Sequence, residues 1–226
     1  RGQTLAIIGA TGSGKTTLAG LIPRFYDATQ GTVLVDGVDV RDYTFDALYD
    51  RLGYVTQKAV LFSGTVQDNI FFGQSEAADT DETLQQALQL SQAAEFVDRY
   101  PEKAAHPIAQ LGRNVSGGQK QRLSIARALA RKPEILIFDD SFSALDYKTD
   151  ATLREGLAKQ LPGTTKIIVA QRISTIRHAD QILVLDRGEI AGLGTHDALM
   201  ASCPVYREIA MSQLSEEELK KGGASK

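Results

Sequence analysis

Short runs of apolar and β-branched residues recur along the chain, and stretches with helical periodicity lie between them. The runs occupy residues 5–8, 33–35, 135–138, 166–170 and 182–185. Strands that alternate with helices predict a mostly parallel sheet with helices on its faces. The pattern therefore predicts an α/β fold.

One long stretch has only a helical pattern. Residues 79–99 are rich in Ala, Gln, Leu and Glu and contain neither Gly nor Pro, so we expect them to be helical. We therefore expect a helical subdomain at residues 74–131, inserted into an α/β core formed by residues 1–73 and 132–214. Residues 215–226 are charged and then rich in Gly, Ala and Ser, which indicates a flexible tail.

The composition excludes several classes of protein. The 226 residues include 25 Lys and Arg against 28 Asp and Glu, and this balance gives no indication of nucleic-acid binding. No run approaches the roughly 18 apolar residues that span a membrane. The single cysteine, Cys203, excludes an internal disulfide and a cysteine-based metal cluster, and we expect it to be a small core or surface residue.

A glycine-rich turn follows the first expected strand. Residues 9–16 fit G-x-x-x-x-G-K-[ST], with a helix expected over 15–22. The glycines let backbone N–H groups point at phosphate oxygens, and the helix N-terminus adds a partial positive charge. The alternative is an ordinary glycine-rich turn with a surface lysine. We expect ATP phosphates to bind at Gly9, Thr11, Gly12, Ser13, Gly14, Lys15, Thr16 and Thr17.

A carboxylate ends another apolar strand. Asp139 follows the run at 135–138, which puts it at the carboxyl end of the sheet, where open α/β folds bind ligands. Lys15 should reach the β- and γ-phosphates, and the Thr16 hydroxyl should bind Mg²⁺. We therefore expect Thr16 and Asp139 to hold Mg²⁺, with Asp139 acting through water.

A second anion site is predicted far along the chain. Its residues are followed by an amphipathic helix, so that they lie at a helix N-terminus. One nucleotide needs only one such cradle, so the second cradle requires a separate explanation. The residues are Ser116, Gly117, Gly118 and Gln119.

This second site resembles the signature motif of ATP-binding-cassette (ABC) proteins, and other motifs occur in that family's order. Gln57 resembles the Q-loop glutamine, Asp146 ends a D-loop-like segment and Gln171 stands at the switch position. The resemblance implies the ABC ATPase fold, a P-loop NTPase core with an inserted helical subdomain. It implies that two cassettes pair so that each ATP lies between one phosphate loop and the partner's signature. It also assigns Asp146 to nucleotide binding and Gln57 to the Mg²⁺ site.

The segment around Gln57 resembles the multidrug- and lipid-exporter branch of the family. It contains the pattern Leu-Phe-x-Gly-Thr-x-x-x-Asn-Ile at residues 61–70. We expect Phe62 to be exposed for docking a membrane domain, and Phe71 and Phe72 to lie in the core. The chain starts without Met on an expected core strand. We therefore expect a piece of a longer protein, with the membrane domain fused upstream and the cassette at the cytoplasmic face of the membrane.

Two positions depart from the family's pattern. Asp140 stands where the family usually has Glu, and Gln171 stands where it usually has His. Asp is one methylene shorter, and a misplacement of about 1 Å can cost roughly 100-fold in rate. Gln cannot bring a positive charge to a γ-phosphate. We therefore expect a degenerate site with weak or absent hydrolysis, in which Asp140, Gln171 and Gln57 are the catalytic positions.

The retained signature indicates a heterodimer, because it acts on the nucleotide of a partner chain. This chain would then complete a competent site whose phosphate loop belongs to a different subunit. Two alternatives remain open. In one, the protein is a homodimeric exporter ATPase with Asp140 as the working base. In the other, it is a soluble regulatory ABC ATPase.

Overall fold

The computed structural model describes residues 1–73 and 80–213. The glycine-rich turn lies between the first strand and the first helix of this part. The strands are β1 (Thr4–Gly9), β2 (Leu34–Val35), β3 (Val38–Asp39), β4 (Leu52–Val55), β5 (Gly64–Thr65), β6 (Pro107–Ile108), β7 (Ile135–Asp139), β8 (Thr165–Val169), β9 (Gln181–Asp186) and β10 (Glu189–Gly194). The helices are α1 (Lys15–Leu21), α2 (Phe45–Tyr49), α3 (Val66–Ile70), α4 (Asp81–Leu90), α5 (Ala94–Val97), α6 (Gly117–Ala130), α7 (Tyr147–Gln160), α8 (Ile173–Ile176), α9 (His196–Ser202) and α10 (Pro204–Gln213).

A six-stranded sheet forms the centre, in the order β10-β9-β1-β8-β7-β4. The pairs from β9 to β4 are all parallel, and β10 pairs antiparallel with β9 at one edge. The predicted α/β fold with a mostly parallel sheet is therefore confirmed.

The run at 33–35 is not part of this sheet, contrary to the expectation. Its strand β2 pairs antiparallel with β3 in a separate hairpin. The edge of the sheet beside β7 is instead formed by β4. Gly53 of β4 interrupts the apolar pattern by which a buried strand is recognised in the sequence. A Cβ at Gly53 would lie 2.8 Å from the Leu136 side chain and 3.1 Å from the Ala128 carbonyl oxygen. The close approach of α6 and β7 thus requires glycine in a buried strand.

The stretch expected to be helical, residues 79–99, is helical only in part: its described residues, 80–99, contain two helices separated by a turn. Helix α4 ends at Leu90 and α5 begins at Ala94. Between them, Gln92 adopts a positive φ of 61°. The Ala93 N–H donates to the Leu88 carbonyl oxygen at 2.8 Å and also to the Ser91 hydroxyl at 3.3 Å. A backbone bond supplemented by a serine side chain thus closes a turn that helix propensity alone does not predict.

One apolar cluster joins the helices to the sheet. Leu84 and Leu88 of α4 belong to the same buried cluster as Leu123 of α6 and Phe138 of β7. Cys203 is also in this cluster, 2% exposed, which confirms it as a small core residue. The start of the proposed helical subdomain at residue 74 and the proposed tail at 215–226 lie outside the described residues.

The chain segments expected to carry chemistry leave the same edge of the sheet. The glycine-rich turn follows β1, and Asp139 ends β7. Gln57 follows β4 and Gln171 follows β8. Because these four strands are parallel, their carboxyl ends meet at one edge, where α/β sheets bind ligands.

Candidate nucleotide site

The glycine-rich turn has the backbone shape that its glycines permit. Gly12 has a φ of 80° and Gly14 has a φ of 95°, and open space lies around a Cβ built at either position. Helix α1 begins directly afterwards at Lys15, so its first N–H groups lack intrahelical partners. Such donors and the helix dipole favour a negative charge at the turn, as the predicted phosphate site requires.

Polar side chains inside the turn fit a phosphate group. Lys15 is 9% exposed, and its Nζ donates to the carbonyl oxygens of Gly9 and Ala10, each at 2.8 Å. Burial lowers the pKa of Lys15, and the carboxylates of Asp140 and Asp139 oppose that shift. The Ser13 hydroxyl is buried and finds no hydrogen-bond partner among the described residues. A buried donor without a partner is costly, and phosphate oxygens would satisfy it.

The structure brings together the two residues expected at the metal. The Thr16 hydroxyl donates to Oδ1 of Asp139 at 2.8 Å, although 123 positions separate the two residues. No cluster of three or more His, Cys, Asp or Glu suited to a metal occurs within residues 1–73 and 80–213. Because Mg²⁺ prefers six oxygen ligands, an ion held by Thr16 and Asp139 would take its further ligands from phosphates and water.

A tyrosine that the sequence analysis missed completes this pair. The Tyr54 hydroxyl donates to Oδ2 of Asp139 at 3.1 Å. Burial raises the pKa of Tyr54, and the charge of Asp139 and the hydrogen bond to it raise it further. The phenol therefore keeps its proton and remains a donor. An aromatic residue inside a short strand gives no signal in the sequence that it faces a carboxylate of another strand.

The three expected catalytic residues form one hydrogen-bonded group. Oδ2 of Asp140 accepts from Nε2 of Gln57 at 2.8 Å and from Nε2 of Gln171 at 2.6 Å. Asp140 is 7% exposed, whereas both glutamines are exposed. Burial raises the pKa of Asp140, while the bonds from Gln57 and Gln171 work against the rise.

The backbone at Asp140 has an unusual conformation that aims its side chain. Its φ is 48° and its ψ is 24°, in the left-handed region that Asp tolerates better than most residues. The Asp140 N–H donates to the carbonyl oxygen of Val169 at 2.9 Å, which ties the end of β7 to β8. Strained conformations of this kind concentrate at functional sites.

The signature residues begin helix α6, as predicted. Ser116 is the N-cap, and its Oγ accepts from the Gln119 N–H while Oε1 of Gln119 accepts from the Ser116 N–H. This reciprocal capping box fixes the start of the helix. Ser116 and Gly117 are exposed, and Gly118 lies beside the Ala144 carbonyl, with 3.5 Å between that oxygen and a Cβ built on the glycine.

Asp146 caps helix α7. One of its oxygens accepts from the Thr149 N–H at 2.9 Å and the other accepts from the Thr149 hydroxyl at 2.7 Å. These bonds lower the pKa of Asp146. Capping the helix is a structural role for Asp146, and its binding of nucleotide stays a prediction.

The aromatic residues after Gln57 correct one expectation. Phe71 is 8% exposed, which confirms it as core, and Phe62 is 42% exposed, as expected. Phe72 is 53% exposed and stacks on Phe62 with 4.2 Å between ring centroids, so its expected place in the core is wrong. Leu61 is fully buried and offers no surface for docking. Helix α3 ends at Ile70, and the chain beyond it turns Phe72 outward against Phe62.

The sheet topology and the phosphate turn together define a P-loop nucleotide-binding domain. Residues 1–143 match the family described as ABC transporter. The chain is 49% identical over 213 residues to an uncharacterized ABC transporter ATP-binding protein of Mycobacterium tuberculosis, covering 94% of this chain and 36% of that protein. It therefore belongs to the ABC transporter family, as an ATP-binding domain with the ABC ATPase fold.

Other relatives carry names that refer to export or lipid flipping. An ATP-dependent lipid A-core flippase of Syntrophus aciditrophicus is 40% identical over 218 residues, which are 96% of this chain and 36% of the flippase. The Bacillus subtilis protein YgaD, whose name refers to multidrug export, is 44% identical over 209 residues, which are 92% of this chain and 36% of YgaD. The solved structure of a bacterial Atm1-family ABC exporter with ATP bound superposes with a TM-score of 0.90 at 38% identity, over 95% of this chain and 38% of that one.

The chain spans little more than a third of the length of these relatives. Within residues 1–73 and 80–213, the helices are too short or too polar to cross a bilayer.

Proposed function

We propose that this chain is the nucleotide-binding domain of an ABC exporter, which binds Mg-ATP, pairs with a second cassette and powers export. The observation that carries the proposal is the hydrogen bond from Thr16, in the first turn of α1, to Asp139 at the end of β7, because it joins the glycine-rich turn to the carboxylate at one edge of the sheet. The exporter names of its relatives support the direction of transport. A membrane domain fused ahead of residue 1 would hold the cassette at the cytoplasmic face of the membrane.

Two parts of the chain would share the work. Residues 1–73 and 132–214 would form the P-loop core, and residues 74–131 would form the helical subdomain that carries the signature. The apolar cluster that runs from α4 through α6 to β7 supports a signature helix packed firmly on the core. Motion of one part would therefore be transmitted to the other through packed side chains.

The nucleotide phosphates would lie in the turn at residues 9–17. Lys15 would exchange its bonds to the Gly9 and Ala10 carbonyls for phosphate oxygens, and the buried Ser13 hydroxyl would gain a partner. Thr16 and Asp139 would hold Mg²⁺, which supplies charge neutralisation at the β- and γ-phosphates when it is bound. The Gln57 amide oxygen is of the type that Mg²⁺ prefers, while its nitrogen holds Asp140.

The site formed by this chain's own phosphate turn would hydrolyse ATP slowly. Hydrolysis converts ATP and water into ADP and phosphate, and Asp140 would accept a proton from the water. Both glutamine amides donate to the same Asp140 oxygen, so the oxygen is already engaged. The aspartate also reaches less far than the glutamate usual in the family, which leaves a longer gap to the attacking water.

The signature of this chain would complete the site of a different subunit. Ser116 and Gly117 are exposed at the start of α6, where the first N–H groups of a helix have no intrahelical partner. A phosphate of a nucleotide bound to the partner could be received there. The second cassette would thus keep full hydrolytic competence while depending on Ser116, Gly117, Gly118 and Gln119 of this chain.

The stacked pair Phe62–Phe72 would receive the membrane domain. The two residues are 42% and 53% exposed, and their rings stack on each other after the Gln57 segment. The Arg127 guanidinium of α6 lies over both rings, 5.4 Å from the Phe62 centroid and 5.8 Å from the Phe72 centroid. A coupling segment that docks on these rings would therefore act on the signature helix.

A homodimeric exporter ATPase is the second candidate, and one observation favours it. Burial raises the pKa of Asp140, and two amides fix its orientation. A carboxylate of higher pKa in a fixed position is a better general base. No observation within the described residues favours a soluble regulatory cassette.

Steady-state Mg-ATPase assays distinguish the two candidates. We expect the natural chain to bind ATP with little turnover, and the Asp140→Glu, Gln171→His double variant to hydrolyse ATP at least about tenfold faster, because the base then reaches the water. The single variants assign the gain to each position. The matched control is Asp98→Glu with Gln160→His, which makes the same two replacements at exposed positions of other elements.

Each result of these assays has one interpretation. Equal turnover of the natural chain and the double variant would favour the homodimer. Failure of the natural chain to bind ATP in a separate binding measurement would contradict the proposed function itself.

A further inference from the structure

Both oxygens of the Asp139 carboxylate are held by side-chain hydroxyls from other elements. Thr16 donates to Oδ1 from the first turn of α1, and Tyr54 donates to Oδ2 from β4. Asp139 is 4% exposed, so these contacts are made in a largely dehydrated place. A carboxylate bonded at both oxygens cannot rotate about its terminal torsion without breaking one of the bonds.

The ring of Tyr54 is held where its hydroxyl can reach this carboxylate. Tyr54 pairs in register with Ile137 of the adjacent strand β7, two residues before Asp139. Its ring packs edge-on against Phe25, with 5.0 Å between the ring centroids. Phe25 is in turn tied to the phosphate helix, because its N–H donates to the Gly20 carbonyl oxygen at 3.0 Å. Both α1 and the sheet therefore aim the Tyr54 hydroxyl.

We propose that Tyr54 is a positioning residue for the magnesium site: its hydroxyl fixes the rotation of the Asp139 carboxylate, so that the carboxylate meets Mg²⁺ already oriented. The inference rests on the proposed binding of Mg-ATP. It predicts that Tyr54 matters for the metal-dependent part of nucleotide binding and not for the phosphate turn itself. Residues that orient a metal ligand in this way typically change metal affinity by about 10- to 100-fold when they are removed.

The Tyr54→Phe variant tests the proposal, because it keeps the ring against Phe25 and removes one oxygen atom. The readout is the affinity for a fluorescent ATP analogue, measured with Mg²⁺ and with EDTA. We expect the gain in affinity that Mg²⁺ provides to fall about tenfold or more in the variant, with the affinity in EDTA unchanged. Mn²⁺ in place of Mg²⁺, followed by electron paramagnetic resonance, gives the metal affinity directly.

The matched control is Tyr43→Phe. Tyr43 is also half-buried, and its hydroxyl donates to the Val35 carbonyl oxygen at 3.0 Å in the separate β2–β3 hairpin. We expect its Mg²⁺ response to equal that of the natural chain. A role of Tyr54 in stability alone would lower the melting temperature without metal and leave the Mg²⁺ response intact, which would overturn the proposal.

The remaining outcomes are also decisive. A natural chain that binds no nucleotide would contradict the proposed function, and the inference would fall with it. A natural chain that responds to Mg²⁺ and a Tyr54→Phe variant that responds equally would overturn only the inference. If Tyr54→Phe does not fold, Phe25→Leu replaces it, since this change loosens the ring and keeps the hydroxyl. A smaller loss of the Mg²⁺ response is then expected, and no loss would overturn the proposal.

Discussion

Two buried charged groups of the candidate site depend on each other. Burial lowers the pKa of Lys15 and raises the pKa of Asp140, and each charge favours the ionised form of the other. Removing either residue would therefore leave the other charge less compensated in a dehydrated place. Variants at these positions should consequently be compared at matched stability before a loss of binding or turnover is assigned to chemistry.

At the residue scale, His196 makes stability depend on pH. Its Nδ1 lies 2.7 Å from the Tyr206 hydroxyl, and Tyr206 is fully buried. Burial lowers the pKa of His196, an effect that Asp197 opposes. Because the folded-state pKa lies below the unfolded value of about 6.5, the unfolded chain binds more protons, and stability falls as the pH drops through that value. We expect unfolding at lower urea concentration at pH 5.5 than at pH 7.5.

The His196→Gln variant isolates this contribution. We expect the difference in unfolding free energy between the natural chain and the variant to shrink as the pH falls from 7.5 to 5.5. Burial, Arg177 and Arg154 also lower the pKa of His178. Acidification therefore lowers stability through His178 as well, in the natural chain and in the variant alike. A difference that stays constant or grows on acidification would contradict the assignment to His196.

At the scale of elements, a buried asparagine joins α3 to the segment after Gln57. Asn69 is 1% exposed; its side chain bonds both the N–H and the carbonyl of Phe62 and also the carbonyl of Thr65. Arg127 of α6 donates to the Asn69 carbonyl at 2.7 Å, to the Asn69 side-chain oxygen at 3.0 Å and to the Val60 carbonyl at 3.0 Å. The network connects the exposed rings to the signature helix.

We expect Asn69→Ala to lower the unfolding free energy by about 2–4 kcal/mol, because three part-buried backbone groups and the Arg127 guanidinium lose the buried Asn69 side chain as their partner. Urea unfolding followed by circular dichroism measures this change. Asn114→Ala is the matched control. Asn114 also bridges two backbone groups, the Ala109 N–H and the Pro107 carbonyl, but is exposed, so that water replaces its bonds at a cost under about 1 kcal/mol. Equal losses in the two variants would contradict a special role of burial.

At the scale of the whole molecule, the proposal assigns the phosphate turn and the signature to different composite sites. A mixing experiment tests this arrangement with two forms of the chain. One form carries Asp140→Glu and Gln171→His together with Ser116→Arg, so that its phosphate turn works but its signature is blocked. The other form is the natural chain, which has an intact signature.

We expect each form alone to hydrolyse ATP slowly and the mixture to be several-fold faster, because the natural signature completes the repaired site. The measurement is ATPase activity against mixing ratio, with analytical ultracentrifugation to detect the pair. A natural chain that carries Ser116→Arg is the control and should give no gain. Full activity of the repaired, signature-blocked form by itself would contradict completion of the site in trans.

Features that depend on neighbours in sequence could be predicted without the fold. The phosphate turn, the strand that ends in Asp139 and the capped start of α6 are local, since each needs only a few consecutive residues of the right type. The structure has the turn, the strand and the helix in these places. The contact between Thr16 and Asp139 was also foreseeable, because a known motif fixes how two strand ends meet.

The exposed rings and the interrupted helix were not foreseeable in this way. Phe72 was expected in the core because it is apolar, yet its position after the end of α3 turns it to the surface against Phe62. The stretch expected to be helical over 79–99 is interrupted at Gln92, where a turn brings α5 onto the common core. In both cases packing against distant residues outweighs the local preference.

The sequence by itself determined the class of fold, the family and the residues that line the phosphate turn, because these follow from short patterns and from the spacing of strands and helices. Only the tertiary structure decided that Tyr54 meets Asp139, that two glutamines share one oxygen of Asp140 and that the Arg127 guanidinium lies over the exposed rings. The physical reason is distance along the chain. These contacts join residues 31 to 85 positions apart, and only the register of the sheet and the packing of α6 bring such residues together.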